Sequence, residues 1–96
     1  MSDSSVHVVH NADRQRYELV DDGSVIGFTE YHPADDTRLV FDHTVVDDAY
    51  SGQGLAGKLV RFALDDVRAR GKRVVPVCPF VDSFIDKHPE YQDLVA

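Results

Sequence analysis

Apolar and polar residues alternate over the first half of the chain, in short segments separated by turn residues. Segments with a period of two that are rich in β-branched and aromatic residues predict β-strands. Asparagine, aspartate, glycine and proline between the segments favour tight turns. The pattern predicts four strands, at residues 6–10, 16–20, 25–32 and 37–46. The first half is therefore predicted to be an antiparallel meander.

The period changes in the second half. Over residues 55–70 the apolar positions recur every three or four residues, which predicts an amphipathic helix that ends at Gly71. The apolar segment 73–77 is predicted to be a buried strand parallel to the strand before the helix, since a strand–helix–strand crossover produces that pairing. A second helix is expected at residues 79–87, and a last helical turn at 90–95. The predicted order is β-β-β-β-α-β-α, an α+β fold.

The chain has 96 residues, with 10 basic and 17 acidic side chains and a formal net charge of −7. We expect one domain over residues 6–96, after a disordered polar N-terminus at residues 1–5. The acidic charge argues against nucleic-acid binding, and no apolar stretch is long enough to cross a membrane. No metal is expected, because no Cys/His cluster has zinc-ligand spacing. The lack of a signal-peptide pattern and a single cysteine predict a cytoplasmic protein.

A glycine-rich segment, SGQGLAGK from Ser51 to Lys58, joins the fourth strand to the first helix. Glycines let successive backbone N–H groups point into one concavity at the positive end of a helix, which binds phosphate without side-chain charge. The segment also matches the phosphate loop of nucleotide-binding proteins except at its last position, where Leu59 replaces the residue that would bind magnesium. The remaining alternative is a tight turn that only allows close helix packing.

Several short motifs occur together in the chain. They are Gly52-Gln53-Gly54-Leu55-Ala56, His43-Thr44, Cys78-Pro79-Phe80-Val81 and His88-Pro89-Glu90-Tyr91. The first is similar to the core of the acetyl-CoA-binding motif of the GNAT acetyltransferases, R/Q-x-x-G-x-G/A. Together they resemble the short, single-domain YjdJ-type branch of that family, over nearly the whole chain. The resemblance implies a GNAT-like fold, with splayed strands around the crossover and a C-terminal helix.

The resemblance also implies acetyl-CoA as cosubstrate. The residues expected to bind it are Val45, Val46, Ser51, Gly52, Gln53, Gly54, Leu55, Ala56, Gly57 and Lys58. In the family pattern, the backbone of Val45 and Val46 lines the pantetheine arm, and the loop from Gly52 to Gly57 holds the pyrophosphate. Ser51 departs from the motif, which has arginine or glutamine there. Lys58 is expected either to contact a phosphate or to lie on the solvated helix face.

Two residues are candidates for the chemistry of acetyl transfer. His43 is the candidate base, because an imidazole titrates near neutral pH and strand alternation puts His43 on the same face as Val45. The alternative is a structural histidine. For Cys78 the resemblance implies a nucleophile that carries the acetyl group, with direct attack by the amine as the competing mechanism. A free cysteine is otherwise a small buried hydrophobe.

Three of the four other histidines and two aromatic residues are given structural interpretations. His7, His10 and His32 lack metal-ligand spacing and are predicted to lie at the surface. Phe80 and Tyr91 are predicted to belong to the core, with a ligand contact as the alternative. None of these five side chains is expected to carry chemistry.

The sequence therefore predicts a small N-acetyltransferase acting on a small-molecule or peptide amine, and the acidic surface favours a cationic acceptor. A non-catalytic acyl-CoA-binding or regulatory module is the alternative. A structural interaction domain, which would bind no CoA, is a third class. The oligomeric state is left open, and a monomer is compatible with the sequence.

Overall fold

The computed structural model describes residues 6–96, so the predicted disordered N-terminus lies outside the described residues. The strands are β1 (Val6–Asn11), β2 (Arg16–Asp21), β3 (Ser24–Pro33), β4 (Arg38–Val46) and β5 (Arg73–Pro76). The helices are α1 (Leu55–Ala69) and α2 (Pro79–Lys87), and 3₁₀ turns occupy Ala12–Arg14, Asp48–Tyr50 and Pro89–Leu94. The predicted order of elements and the α+β class are confirmed.

One five-stranded sheet has the order β1-β2-β3-β4-β5. Hairpins make the first four strands antiparallel, and the α1 crossover places β5 parallel to β4. Pairing with β5 extends only from Arg38 to Phe41, after which the Cys78 N–H donates to the Phe41 carbonyl at 2.8 Å and the chain enters α2. Within residues 6–96, the second half of β4 therefore has a free edge. We call the opening beside this edge the splay. The splayed strands that the resemblance implied are thereby confirmed.

Helix α1 packs on one face of the sheet, which we call the inner face. Its apolar row includes Leu59, Leu64 and Val67, all completely buried. Burying such a side chain stabilises the fold by about 1.5–3 kcal/mol relative to leaving it exposed. Gly71, with a φ of 71°, follows the helix as the predicted C-terminal glycine. Helix α2 packs closely against α1. A Cβ added at Gly57 of α1 would lie 3.7 Å from the Phe84 ring of α2.

A cluster of aromatic and charged side chains lies between the end of α1 and the first three strands. The His10 ring stacks on Tyr17 with centroids 4.3 Å apart, and its Nε2 lies 2.6 Å from the Tyr31 hydroxyl. Asp66 accepts hydrogen bonds from the Tyr17 hydroxyl at 2.6 Å and from Arg70 at 2.7 Å. Arg70 also donates to His10 Nδ1 at 3.1 Å, so neutral His10 carries its proton on Nε2. The predicted surface position is wrong for His10, whose side chain is only 15% exposed.

Because of His10, the free energy of unfolding is expected to fall as the pH drops below about 6.5. Burial and the charge of Arg70 lower the pKa of His10 from its ordinary value of 6.5, against an opposing effect of Asp66. The unfolded chain therefore takes up a proton at a higher pH than the folded chain, and the free energy of unfolding decreases as the pH falls through 6.5 toward the lowered pKa. Urea unfolding between about pH 8 and about pH 5 measures this loss.

The variant His10→Gln removes the titrating group, so its stability is expected to depend less on pH over that range than the stability of the parent chain. His7→Gln is the matched control, because His7 is an exposed histidine on the same strand. It should keep the parent dependence. A His10→Gln curve parallel to the parent curve would contradict the assignment.

Candidate functional site

The loop between β4 and α1 has the backbone geometry of an anion site. Gly52 and Gly54 have φ values of 77° and 74°, in the left-handed region that favours glycine. An ideal Cβ at either position would meet no atom of residues 6–96 within 4 Å, so each glycine has an open side that the described part of the chain does not fill. The loop can therefore approach a ligand closely with its backbone.

The first turn of α1 leaves its N–H groups available. Gly54, at the N-cap position, provides no side-chain cap, and the turn contains no acidic residue. The first N–H groups of a helix have no acceptor within the helix and carry the positive end of its dipole. The hydroxyl of Ser51 does not reach this turn, since it donates to the Asp48 carbonyl at 2.9 Å. Uncapped N–H groups beside open glycines are the donor set that a pyrophosphate requires.

Lys58 lies in the first turns of α1 and reaches toward β1. Its ammonium group donates to the Val6 carbonyl at 3.0 Å. The side chain is thus neither free in solvent nor placed over the loop. Its contact with a phosphate stays a prediction.

A groove of about 390 Å³ lies between α1 and α2 beside the loop. It is lined by Gly57, Arg61, Phe80, Ser83, Phe84, Lys87 and His88. The predicted core position is wrong for Phe80, which is 40% exposed, because Val81, Phe84 and Ile85 form the buried face of α2. The core position of Tyr91 is confirmed. The groove combines an aromatic wall with basic side chains.

The free edge of β4 presents the backbone of Val46. The Asp47 N–H donates to the Ile26 carbonyl of β3 at 2.8 Å. Backbone groups of successive strand residues point to opposite edges of the strand. Those of Val45 therefore point toward β3, as those of Asp47 do, and those of Val46 and Thr44 point into the splay. Of the two valines predicted to line the pantetheine arm, Val46 offers its backbone there. The Val45 side chain is 38% exposed on the sheet face opposite α1, which we call the outer face.

Cys78 lies at the splay on the inner face. Its thiol donates to the Thr44 hydroxyl at 3.3 Å, and the Thr44 and Thr29 hydroxyl oxygens are 2.9 Å apart. The side chain is 4% exposed. The sulfur is therefore held below the free edge of β4 by the Thr44 hydroxyl, which is itself paired with the hydroxyl of the buried Thr29. Thr29 had no predicted role at the site, and Thr44 was predicted only as part of the motif His43-Thr44, although each is a polar residue at an inward strand position.

His43 lies on the outer face. Since Thr44 points inward to Cys78, alternation directs its neighbour His43 to the other side of the sheet. The imidazole is exposed and packs edge-on against Phe28, with ring centroids 6.1 Å apart. The shared face of His43 and Val45 is confirmed. The structure does not bring His43 and Cys78 together, because they flank the same strand edge from opposite faces.

The family of the chain follows from a sequence comparison. A family model described as GCN5-related N-acetyl-transferase matches residues 16–94. The chain belongs to this family. The motif resemblance to the GNAT acetyltransferases is thereby confirmed. Membership of the YjdJ-type branch stays a prediction.

Solved structures of GNAT proteins have similar folds. A GCN5-like protein from Staphylococcus aureus is 22% identical, with a TM-score of 0.75 and coverage of 97% of this chain and 90% of that one. YhbS from Escherichia coli, solved with CoA, is 33% identical over 62% of this chain and 37% of its own, with a TM-score of 0.57. A GNAT family acetyltransferase from Brucella melitensis, solved with acetyl-CoA, is 24% identical over 76% of this chain and 54% of its own, with a TM-score of 0.59.

Three further findings are negative. A search of curated proteins finds no match to the sequence. Over residues 6–96, no helix is long and apolar enough to cross a membrane, and no three acidic, histidine or cysteine side chains are grouped to hold a metal ion.

Proposed function

We propose that this GNAT chain binds acetyl-CoA and transfers the acetyl group to an amine. The observation that carries the proposal is the juxtaposition of an uncapped helix N-terminus, the open glycines 52 and 54, and the free edge of β4. A thioester cosubstrate with a pyrophosphate needs an anion site and an adjacent strand edge for its amide arm. Similar folds have been solved with CoA and with acetyl-CoA, which supports the assignment.

Each part of the cosubstrate has a matching feature. The pyrophosphate would accept hydrogen bonds from the loop and the first turn of α1, where backbone donors make up for the missing arginine or glutamine at Ser51. The amide groups of the pantetheine arm would pair with the exposed backbone of Val46, as an added strand does. The groove between the two helices would accept the nucleotide end, with Phe80 beside the base and Lys87 near a phosphate.

The acetyl group would then lie at the β4 edge between two candidate groups. On the outer face, His43 can remove a proton from an amine that attacks the acetyl carbon directly. On the inner face, the Cys78 sulfur could first take the acetyl group and then pass it to the amine. Since α1 and α2 lie on the inner face and Cys78 is 4% exposed, the amine would approach from the side of His43. We therefore propose direct transfer with His43 as the base.

Calorimetric titration of the chain with acetyl-CoA tests the cosubstrate site, with ATP as the control ligand. We expect acetyl-CoA to bind with a dissociation constant in the micromolar range and ATP to bind at least about tenfold more weakly, because ATP lacks the arm that pairs with Val46. Release of CoA is then followed with a thiol reagent. Release that depends on an added amine supports the transferase.

Two other outcomes would contradict the proposal. Binding without any release would favour a non-catalytic acyl-CoA-binding module, an alternative with which the serine at position 51 is consistent. Binding of neither ligand would mean that the glycine loop only makes a turn.

A further inference from the structure

Strand β1 forms an edge of the sheet that no other strand covers within residues 6–96. The Tyr31 N–H donates at 3.0 Å to the carbonyl of Gln15, just before β2, so the backbone groups of the next residue, Arg16, point the other way, toward β1. Arg16 pairs there with Asn11, and the register between the two strands has no bulge. Alternation along β1 therefore turns every second residue away from β2. The residues whose backbone groups face the free edge are Val6, Val8 and His10.

The two edges of the sheet differ in how they are protected. At the opposite edge, Val74 of β5 forms a bridge with Val95 and accepts a hydrogen bond from the Ala96 N–H at 2.9 Å. Strand β5 also ends at Pro76. Strand β1 contains no proline, lysine or carboxylate and makes no bulge with β2, although proteins commonly use such features to block an edge. Of the two edges, β1 is therefore the one that can accept another strand.

Helix α1 runs beside β1 in the same direction. In its first turns, the Lys58 ammonium group donates to the Val6 carbonyl at 3.0 Å. One turn later, the exposed Phe62 side chain lines a groove of about 590 Å³ together with Val8. The middle of the free edge therefore lies next to Phe62.

The groove is also lined by two exposed charged residues of α1 that form no ion pair within residues 6–96, Lys58 and Asp65. The Tyr91 hydroxyl donates to Asp65 at 2.7 Å and separates this carboxylate from Arg61, which donates to the same hydroxyl. Two turns separate Lys58 from Asp65, about 10 Å along the helix, which is too far for them to pair with each other. The other charged residues of the helix form ion pairs, Arg61 with Glu90, Asp66 with Arg70 and Arg68 with Asp93. Lys58 and Asp65 can each gain a counter-charge from another molecule.

We propose that β1 is the interface at which two copies of this chain form a dimer. A two-fold axis through the middle of the edge places Val8 opposite Val8 of the second copy and Val6 opposite His10 of the second copy. The free N–H and carbonyl groups of the two antiparallel edges then bond to each other. The result is one continuous sheet with five strands from each copy.

The same symmetry pairs the charges of α1. The axis passes beside Phe62, near the middle of the segment between Lys58 and Asp65, and makes the two α1 helices antiparallel neighbours. Lys58 of each copy then faces Asp65 of the other. Turning to Asp65 releases Lys58 from the Val6 carbonyl, which can accept the backbone N–H of the second copy. The net charge of −7 repels two copies over the rest of the surface, so these two ion pairs select this orientation.

The dimer also covers apolar surface and ends the assembly. Phe62 on the inner face and Val9 on the outer face, both exposed in the single chain, lie beside the axis. Because each copy uses the same edge, the contact closes on itself. The bridge of Val74 to Val95 covers the β5 edge, so strand addition stops at two copies.

Sedimentation equilibrium over a range of protein concentrations tests the dimer. We expect the mass to rise from 10.7 kDa to twice that value, with a dissociation constant in the micromolar range. Val8→Pro removes an N–H that faces the free edge and leaves the bonds to β2 intact, so it should weaken the dimer at least about tenfold. A parent chain that stays at 10.7 kDa up to millimolar concentration would overturn the proposal, as would a Val8→Pro dimer as tight as that of the parent chain.

Exchanging the two charges of α1 tests the orientation. Lys58→Asp and Asp65→Lys each turn two attractive pairs into two repulsive ones, so each should weaken the dimer at least about tenfold. The double variant restores both pairs with exchanged signs and should regain the parent dissociation constant within about threefold. Asp86→Lys makes the same change of net charge on the exposed surface of α2 and, as the matched control, should not weaken the dimer. A double variant as weak as the single variants would overturn the antiparallel arrangement of the helices.

Amide hydrogen exchange reports the strand pairing directly. The N–H groups of Val8 and His10 face the edge and should exchange about tenfold more slowly in concentrated than in dilute samples, because the dimer protects them. Those of His7 and Val9 face β2 in both states and are the internal controls. Concentration-dependent protection that leaves out Val8 and His10 would place the contact elsewhere and overturn the β1 interface.

Discussion

Replacing Gly54 by valine is expected to weaken acetyl-CoA binding about a hundredfold. Gly54 has a φ of 74°, a conformation that is an outlier for any β-branched residue. Its open side is where the backbone donors of the loop would meet the pyrophosphate, so a side chain there both shifts these donors and occupies their ligand's space. Losing two hydrogen bonds to a charged group accounts for the expected factor. Calorimetric titration measures the change.

Gly23→Val is the matched control for this experiment. Gly23 has a φ of 83°, and an added Cβ there meets no atom of the described residues within 4 Å, so valine introduces the same backbone strain in the turn between β2 and β3. Both variants are expected to lose thermal stability, but Gly23→Val should bind acetyl-CoA like the parent chain. If Gly54→Val also keeps the parent affinity, the loop does not bind the pyrophosphate.

The fold was predictable because its signals are local. The apolar periodicity over residues 55–70 and the following Gly71 define α1 without reference to the rest of the chain. Pro79 marks the start of α2 in the same way, since proline suits the first turn of a helix. The parallel pairing of β5 then follows from the crossover rule for strand–helix–strand units.

The faces of β4 were harder to predict, because an irregularity in the sheet sets them. Leu39 and Phe41 point into the core, and strict alternation from them would also bury His43. In the structure, the adjacent β3 residues Glu30 and Tyr31 pair with His43 and Phe41 of β4. Asp42, which lies between His43 and Phe41, is therefore an extra residue on β4. This bulge exchanges the two faces for the rest of the strand. It depends on the pairing with β3, which the sequence of β4 alone does not contain.

Contacts between distant segments account for the other differences. His10 is held by Tyr17, Tyr31 and Arg70, which come from two other strands and the end of α1. No spacing near His10 indicates these neighbours. The sequence motif predicted the loop that is proposed to bind the cosubstrate, because that signal is local.

The placement of His43 and Cys78 on opposite faces makes the two routes of acetyl transfer separable. In direct transfer, the group that handles the proton lies on the outer face, and the inner-face sulfur is not needed. In covalent transfer, the sulfur is essential and becomes acetylated. Variants at the two positions should therefore give opposite results under the two mechanisms.

His43→Gln is expected to lower kcat at least about a hundredfold, because a general base contributes about 10²–10⁴ to the rate. The dissociation constant of acetyl-CoA should not change, since the imidazole lies on the outer face, away from the loop that is proposed to hold the pyrophosphate. His32→Gln is the matched control, as another exposed histidine of the outer face, and should retain kcat. Steady-state release of CoA with a saturating amine measures both variants.

Cys78→Ala completes the test of direct transfer. It is expected to bind acetyl-CoA like the parent chain and to keep most of the turnover, because the buried thiol's hydrogen bond is to the Thr44 hydroxyl below the strand edge. Mass spectrometry of the parent chain with acetyl-CoA, before any amine is added, should show no acetylated Cys78. Loss of turnover in Cys78→Ala together with an acetylated protein would reverse the assignment, and His43 would then act on the second step of a covalent route.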